Sequence, residues 1–227
     1  MSGQMVEFLA NGRTCSGYLS LPESGKGPGV VVIQEWWGLV PHIKNVADRL
    51  AKEGYVALAP DLYHGKTTTS PDEAGKLMMA MRIEEAEKDL RGAIHFLIQH
   101  EATTTDKVGT IGFCMGGALS LYAACKNPQV AACVVFYGGH PNVKPELENL
   151  QGAMLGLYAG NDTFVTPESV RQLERRLKEL GKDAEIHIYP NTEHAFFNDE
   201  RPEVYNREAA EDAWRRVLAF FEKHLKS

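Results

Sequence analysis

The chain has 227 residues and a formal net charge of −6 at pH 7, with 44% apolar, 24% charged and 9% aromatic side chains. That mix is too hydrophobic for disorder and too charged for a membrane bundle, and the longest apolar run, Val130 to Tyr137, is far shorter than the roughly 20 residues needed to span a bilayer. With 24 basic against 30 acidic residues and no dense Lys/Arg cluster, nucleic acid is not an expected partner either.

The length suits one domain spanning 1–227. Met1 to Glu7 has neither the basic nor the apolar region of a secretory signal, so a cytoplasmic location is expected. Cysteines stand at 15, 114, 125 and 133 with no C-x-x-C or Cys/His finger spacing, which points away from a redox pair, a structural zinc or a disulfide framework. No metal and no cofactor are expected. No long apolar surface stripe is left over, so a monomer is expected.

In chain order, Met5–Leu9 and Thr14–Leu21 flank Asn11-Gly12, a dipeptide that tolerates positive φ and so predicts an antiparallel hairpin at a sheet edge. Val30–Ile33 is a β-branched run typical of a strand buried on both faces. Ile43, Val46, Ala47, Leu50 and Ala51 then mark one face of a helix ending at Gly54, and Tyr55–Pro60 reads as another buried strand. Ser70-Pro71-Asp72-Glu73 opens a helical stretch whose Ala86, Leu90, Ala93, Ile94 and Leu97 keep helical spacing, followed by strand Val108–Phe113.

The second half alternates again: helix Met115–Cys125, strands Val130–Tyr137 and Ala153–Ala159, a helix opened by Thr166-Pro167, strand Ala184–Tyr189, and a final helix carrying Trp214, Val217, Leu218, Phe221 and Leu225. Strands alternating with helices imply right-handed crossovers and an α/β fold, a mostly parallel sheet covered on both faces. In such a sheet, reacting groups belong in loops at the carboxyl ends of the strands.

Gly112-Phe113-Cys114-Met115-Gly116-Gly117 lies where a strand meets a helix and has the shape of a nucleophile elbow. There the nucleophile sits on a strained turn, glycines allow close backbone crossing, and the N–H of Met115 points where an oxyanion would form. A buried thiol at a tight turn would read the same way. Two further residues add weight: Asp162 follows the strand ending near Ala159, and His194 follows the strand ending near Tyr189. The chain order of nucleophile, acid and base, each in a post-strand loop, is that of α/β-hydrolases. A redox role for Cys114 would want a resolving cysteine nearby and would gain nothing from Asp162 and His194.

The other histidines show no metal-ligand spacing, and His187, between Ile186 and Ile188, faces the other side of its strand. Gln34-Glu35-Trp36-Trp37-Gly38 sets a carboxylate beside two large rings at a strand's end. It reads either as a salt bridge under an aromatic lid or as a functional group contacting the Cys114 thiol, with the Trp36 N–H as the second oxyanion donor. Trp37, Phe196 and Asn198 are the expected substrate-contacting residues.

Taken together, Q-E-W-W-G at 34–38, A-P-D-L-Y at 59–63, G-F-C-M-G-G at 112–117 and E-H-A-F around His194 resemble the dienelactone hydrolase (carboxymethylenebutenolidase) family, over nearly the whole chain. The resemblance implies acyl transfer to Cys114 assisted by His194 and Asp162, a thioester intermediate, and a role for Glu35 in generating the thiolate. The substrate it implies is a small lactone or ester. Family members acting on a carboxylated lactone use two arginines, one four residues after the histidine and one ahead of the helix following A-P-D-L-Y. Here the first position is Asn198 and residues 65–76 hold no arginine. Arg82 and Arg201 are off-motif candidates for that duty, so a small neutral lactone or ester is expected at least as much as an anionic one.

Overall fold

The structure, a computed structural model, describes residues 3–226. Met1, Ser2 and Ser227, which enter the readings of the N-terminus and of the span 1–227, lie outside the described residues. Strands β1 (Gln4–Ala10) and β2 (Arg13–Ser20) form the predicted hairpin, paired from Gln4↔Leu19 to Ala10↔Arg13. Its turn places Asn11 at φ 52° and Gly12 at φ 71°, the two left-handed residues that an Asn-Gly turn supplies at low cost.

The remaining strands are β3 (Gly29–Ile33), β4 (Val56–Pro60), β5 (Val108–Phe113), β6 (Val130–Phe136), β7 (Ala153–Ala159) and β8 (Ala184–Tyr189). All eight make one sheet in the order β1-β2-β4-β3-β5-β6-β7-β8, antiparallel at the hairpin end and parallel from β4 onward. Every residue of β3, β4, β5 and β7 is buried, as continuous apolar runs require when helices cover both faces. Helices α1 (Pro41–Lys52) and α6 (Arg207–Leu225) share one face, where the Arg49 guanidinium lies 4.2 Å from the Trp214 ring centroid.

The stretch opened at Ser70 departs from one continuous helical pattern. It is two helices, α2 (Pro71–Ala80) and α3 (Ile83–Gln99), separated by extended backbone at Met81 and Arg82. Ser70 caps α2 by accepting from the Glu73 N–H, as predicted. The break has a tertiary cause: α3 lies along the sheet against β1, β3 and β4, while α2 turns away and sets Met78 beside a cavity. Its Met78 carbonyl accepts a hydrogen bond from buried His140 Nε2 at 3.1 Å. Helices α4 (Met115–Lys126) and α5 (Pro167–Glu179) complete the fold. Among the described residues, no helix is long and apolar enough to cross a membrane.

The strand order fixes where a site can form. From β3 the chain moves to β4 on one side, and from β5 it moves to β6 on the other, although β3 and β5 are direct neighbours, with Ile33 opposite Gly112. Loops leaving two adjacent strands in opposite directions open a crevice at their carboxyl ends. The residues that line it are those following Ile33 and Phe113.

Candidate active site

Cys114 is the single residue between β5 and α4, held at φ 54° and ψ −119°. A non-glycine residue there costs of order 1–3 kcal/mol and persists only when its surroundings over-determine it. They do. Its N–H donates to the Phe136 carbonyl at 3.0 Å, and its carbonyl accepts from Gly117, Ala118 and Gly139. A Cβ on Gly112 would lie 1.9 Å from the Gly116 carbonyl oxygen, and one on Gly116 would lie 2.4 Å from those of Ile33 and Gln34. The glycines are therefore required by the crossing of β3, β5 and α4. Met115 begins α4, so its N–H is among the four that have no acceptor inside the helix. Its buried sulfur accepts from the Tyr63 hydroxyl at 3.4 Å.

His194 and Asp162 meet as the chain order predicts. His194 Nδ1 lies 2.6 Å from Asp162 Oδ2. The other carboxylate oxygen accepts from the N–H groups of Phe164 at 2.8 Å and Val165 at 2.9 Å, so Asp162 shapes its own turn and orients the imidazole at once. Burial disfavours a charge on His194, but the hydrogen bond to Asp162 and the interaction with Cys114 outweigh it, and its pKa is pushed up to about 10. The Tyr137 and Phe164 rings flank the imidazole at 5.1 and 5.7 Å. Tyr137 and Ala195 have positive φ like Cys114, so strained backbone gathers around the imidazole and the thiol.

Cys114, Asp162 and His194 line one cavity of about 280 Å³ together with Glu35, Trp36 and Trp37. The sequence motifs gain physical reasons here. Gln34 Oε1 accepts from the Leu62 N–H at 3.0 Å, tying the loop after β3 to the A-P-D-L-Y segment. Glu35 is 1% exposed, and its Oε2 accepts from Asn198 Nδ2 at 2.9 Å. Its Oε1 is buried without a hydrogen-bond partner, so Glu35 shares the cavity with Cys114 without bonding the thiol.

Two expected substrate contacts are placed otherwise. Phe196 is fully buried and packs on Phe136, Tyr137 and Tyr189 beneath the site, because the turn after His194 sends it into the core. Asn198 is 3% exposed, with its amide committed to Glu35. Trp37 does line the cavity, and so does Arg201, whose guanidinium lies 5.6 Å from the Trp37 ring centroid and pairs with Glu203. Arg82 lines a different cleft.

Met78, Thr163 and Phe164 also line the cavity and escaped the sequence reading. Phe164 carried a faint signal, as a large apolar side chain two residues beyond Asp162; Met78 carried none, being brought in by the turn of α2. Among the described residues no second cysteine lines the cavity, and burial pushes the Cys125 thiol up to about 11 and the Cys133 thiol higher still.

Residues 15–225 match the dienelactone hydrolase family. Protein usf of Aquifex pyrophilus is 41% identical over 98% of this chain and 99% of its own. A protein named "Putative carboxymethylenebutenolidase" from Aquifex aeolicus (strain VF5) is 38% identical over 99% of this chain and 100% of its own. Among solved structures, a "Putative Dienelactone Hydrolase" from Klebsiella pneumoniae subsp. pneumoniae superposes with a TM-score of 0.88 at 30% identity, covering 98% of this chain and 100% of that one. With an α/β-hydrolase sheet, a cysteine elbow and a family match over nearly its whole length, the chain belongs to the dienelactone hydrolase family, a family of ester and lactone hydrolases.

Proposed function

We propose that this enzyme hydrolyses small neutral lactones or esters through a thioester on Cys114. The observation that carries the reading is the imidazole of His194, bonded through Nδ1 to Asp162 at 2.6 Å and lining the same cavity as the elbow thiol. The proton of the Cys114 thiol resides on His194, whose raised pKa favours holding it, so the sulfur is free to attack the acyl carbon, and the oxyanion is held by the Met115 and Trp36 N–H groups. His194 then returns the proton to the departing alkoxide; for a lactone this oxygen stays tethered to the acyl group. Water, deprotonated by His194, cleaves the thioester and frees the thiol.

The walls supplied by Trp36, Trp37, Met78 and Phe164 favour an apolar acyl or ring portion. Arg201 supports a second reading, a substrate carrying a carboxylate at the rim. The test is a panel of lactones and short esters, with and without a carboxylate, against the wild type and the Cys114→Ala and Arg201→Gln variants. Turnover of neutral members that Cys114→Ala abolishes and Arg201→Gln leaves intact is expected. Undiminished turnover by Cys114→Ala would remove the thiol from the mechanism. A preference for carboxylates lost in Arg201→Gln would favour the second reading.

A further inference from the structure

We propose that Cys15, His64 and Asp89 form a binding site for a thiophilic divalent cation such as Zn2+, separate from the catalytic cavity. The three come from β2, the turn after β4 and α3, and one ligand atom from each lies within 4.8 Å of the others. His64 Nε2 is 3.1 Å from Asp89 Oδ2, and Cys15 Sγ is 3.6 Å from Asp89 Oδ1. Tetrahedral zinc, with bonds of about 2.0–2.3 Å, sets its ligands roughly 3.3–3.7 Å apart; the imidazole and the thiol each stand near that distance from the Asp89 carboxylate, on different oxygens, so a small rotation of the carboxylate would present one oxygen to both.

The donor set is chemically apt: a thiol, an imidazole and a carboxylate, with a fourth position left for water. The positions are also built. Cys15 and Asp89 are each 3% exposed. Asp61 accepts from the Tyr63 and Gly65 N–H groups, fixing the turn that holds His64 at φ 51°. Asp89 lies on the buried side of α3, where a carboxylate needs a partner to offset the cost of its burial.

A cation already attends this point: Arg13 Nη2 is 2.9 Å from Asp89 Oδ2 and 3.0 Å from His64 Nε2. Nε2 thus stands between Arg13, which only donates, and the Asp89 carboxylate, which only accepts; in the tautomer that accepts from Arg13 its lone pair is directed at the cluster, and that is the tautomer a metal takes. The Arg13 side chain is 46% exposed and free to swing outward, and the cleft lined by Arg13, His64 and Asp89 gives a path in. On binding, the Cys15 thiol releases its proton to solvent as the sulfur–metal bond forms, and no oxidation state changes.

The test titrates Co2+ and Zn2+ into the Cys114→Ser protein, which removes the catalytic thiol as a rival ligand. The readouts are calorimetry and the near-ultraviolet thiolate-to-cobalt charge-transfer absorbance. One equivalent is expected to bind. Adding Cys15→Ser should abolish the absorbance, and adding His64→Asn, which tolerates the left-handed turn, should weaken binding by about 10-fold or more. Arg13→Gln should tighten it. The site is refuted if folded Cys114→Ser protein binds no metal at sub-millimolar concentration, or if binding is indifferent to both Cys15→Ser and His64→Asn.

Discussion

Asn198 Nδ2 donates to Glu35 Oε2 at 2.9 Å across 163 residues of sequence, and it is the sole hydrogen bond that the described residues offer the buried Glu35 carboxylate. Leaving a buried acceptor without its donor costs about 1–3 kcal/mol. Asn198→Leu is therefore expected to lower stability by about that amount, read as a shift in the denaturation midpoint. Glu35→Gln in the same background should recover part of it; two independent, additive losses would show that the pair is not coupled.

The strained backbone at Cys114 separates stability from activity. At φ 54° glycine is unstrained and alanine is not, so Cys114→Gly is expected to be more stable than Cys114→Ala by about 1 kcal/mol, with both inactive. The reverse order in chemical denaturation would mean that the elbow relaxes when its side chain is changed.

Gly116 tests the close crossing from the other side. A methyl group there would lie 2.4 Å from the Ile33 and Gln34 carbonyl oxygens, both backbone atoms. Gly116→Ala is expected to cost about 1–3 kcal/mol by overpacking. It should also depress turnover, because the atoms forced to move lead directly into Glu35 and Trp36. Wild-type kinetics and stability in this variant would show that the elbow has slack.

The pairing of His194 with Asp162 also makes stability depend on pH. Burial works against the charged imidazole, yet Asp162 and Cys114 raise its pKa from 6.5 to about 10. A group raised on folding contributes fully below its unfolded value and loses that contribution as pH climbs through its folded value. Stability is therefore expected to fall between about pH 6.5 and 10 on this account, and Asp162→Asn should flatten the decline. Urea midpoints measured across that interval decide it, and parallel curves for the two proteins would refute the coupling.

Phe164 is 51% exposed at the mouth of the cavity, so its removal leaves the core intact. Phe164→Ala is expected to raise KM for esters with bulky apolar acyl groups several-fold while leaving the melting temperature within about a degree or two. An unchanged KM across the acyl series would place the acyl group elsewhere in the cavity.

The elements were legible because their signals are local. Apolar runs announced the buried strands, Asn11-Gly12 the hairpin, and the spacing of glycines around Cys114 the elbow. The Asp162–His194 pair was legible too, since a post-strand loop delivers its residues to the same sheet edge wherever it lies in the chain. Phe196 and Asn198 were misplaced for the opposite reason: adjacency to a site residue says nothing about which way a turn sends the next side chain.

The sequence by itself determined the order of strands and helices and the chemistry that each post-strand loop carries, because hydrophobic periodicity and turn chemistry act over a few residues. Tertiary structure alone decided that α2 breaks from α3 to bring Met78 to the cavity and that Asn198 serves Glu35. It alone drew Cys15, His64 and Asp89 together. Those outcomes depend on how the helices pack across the sheet and where its strand order reverses, and these are set by the packing of the whole core rather than by any short segment.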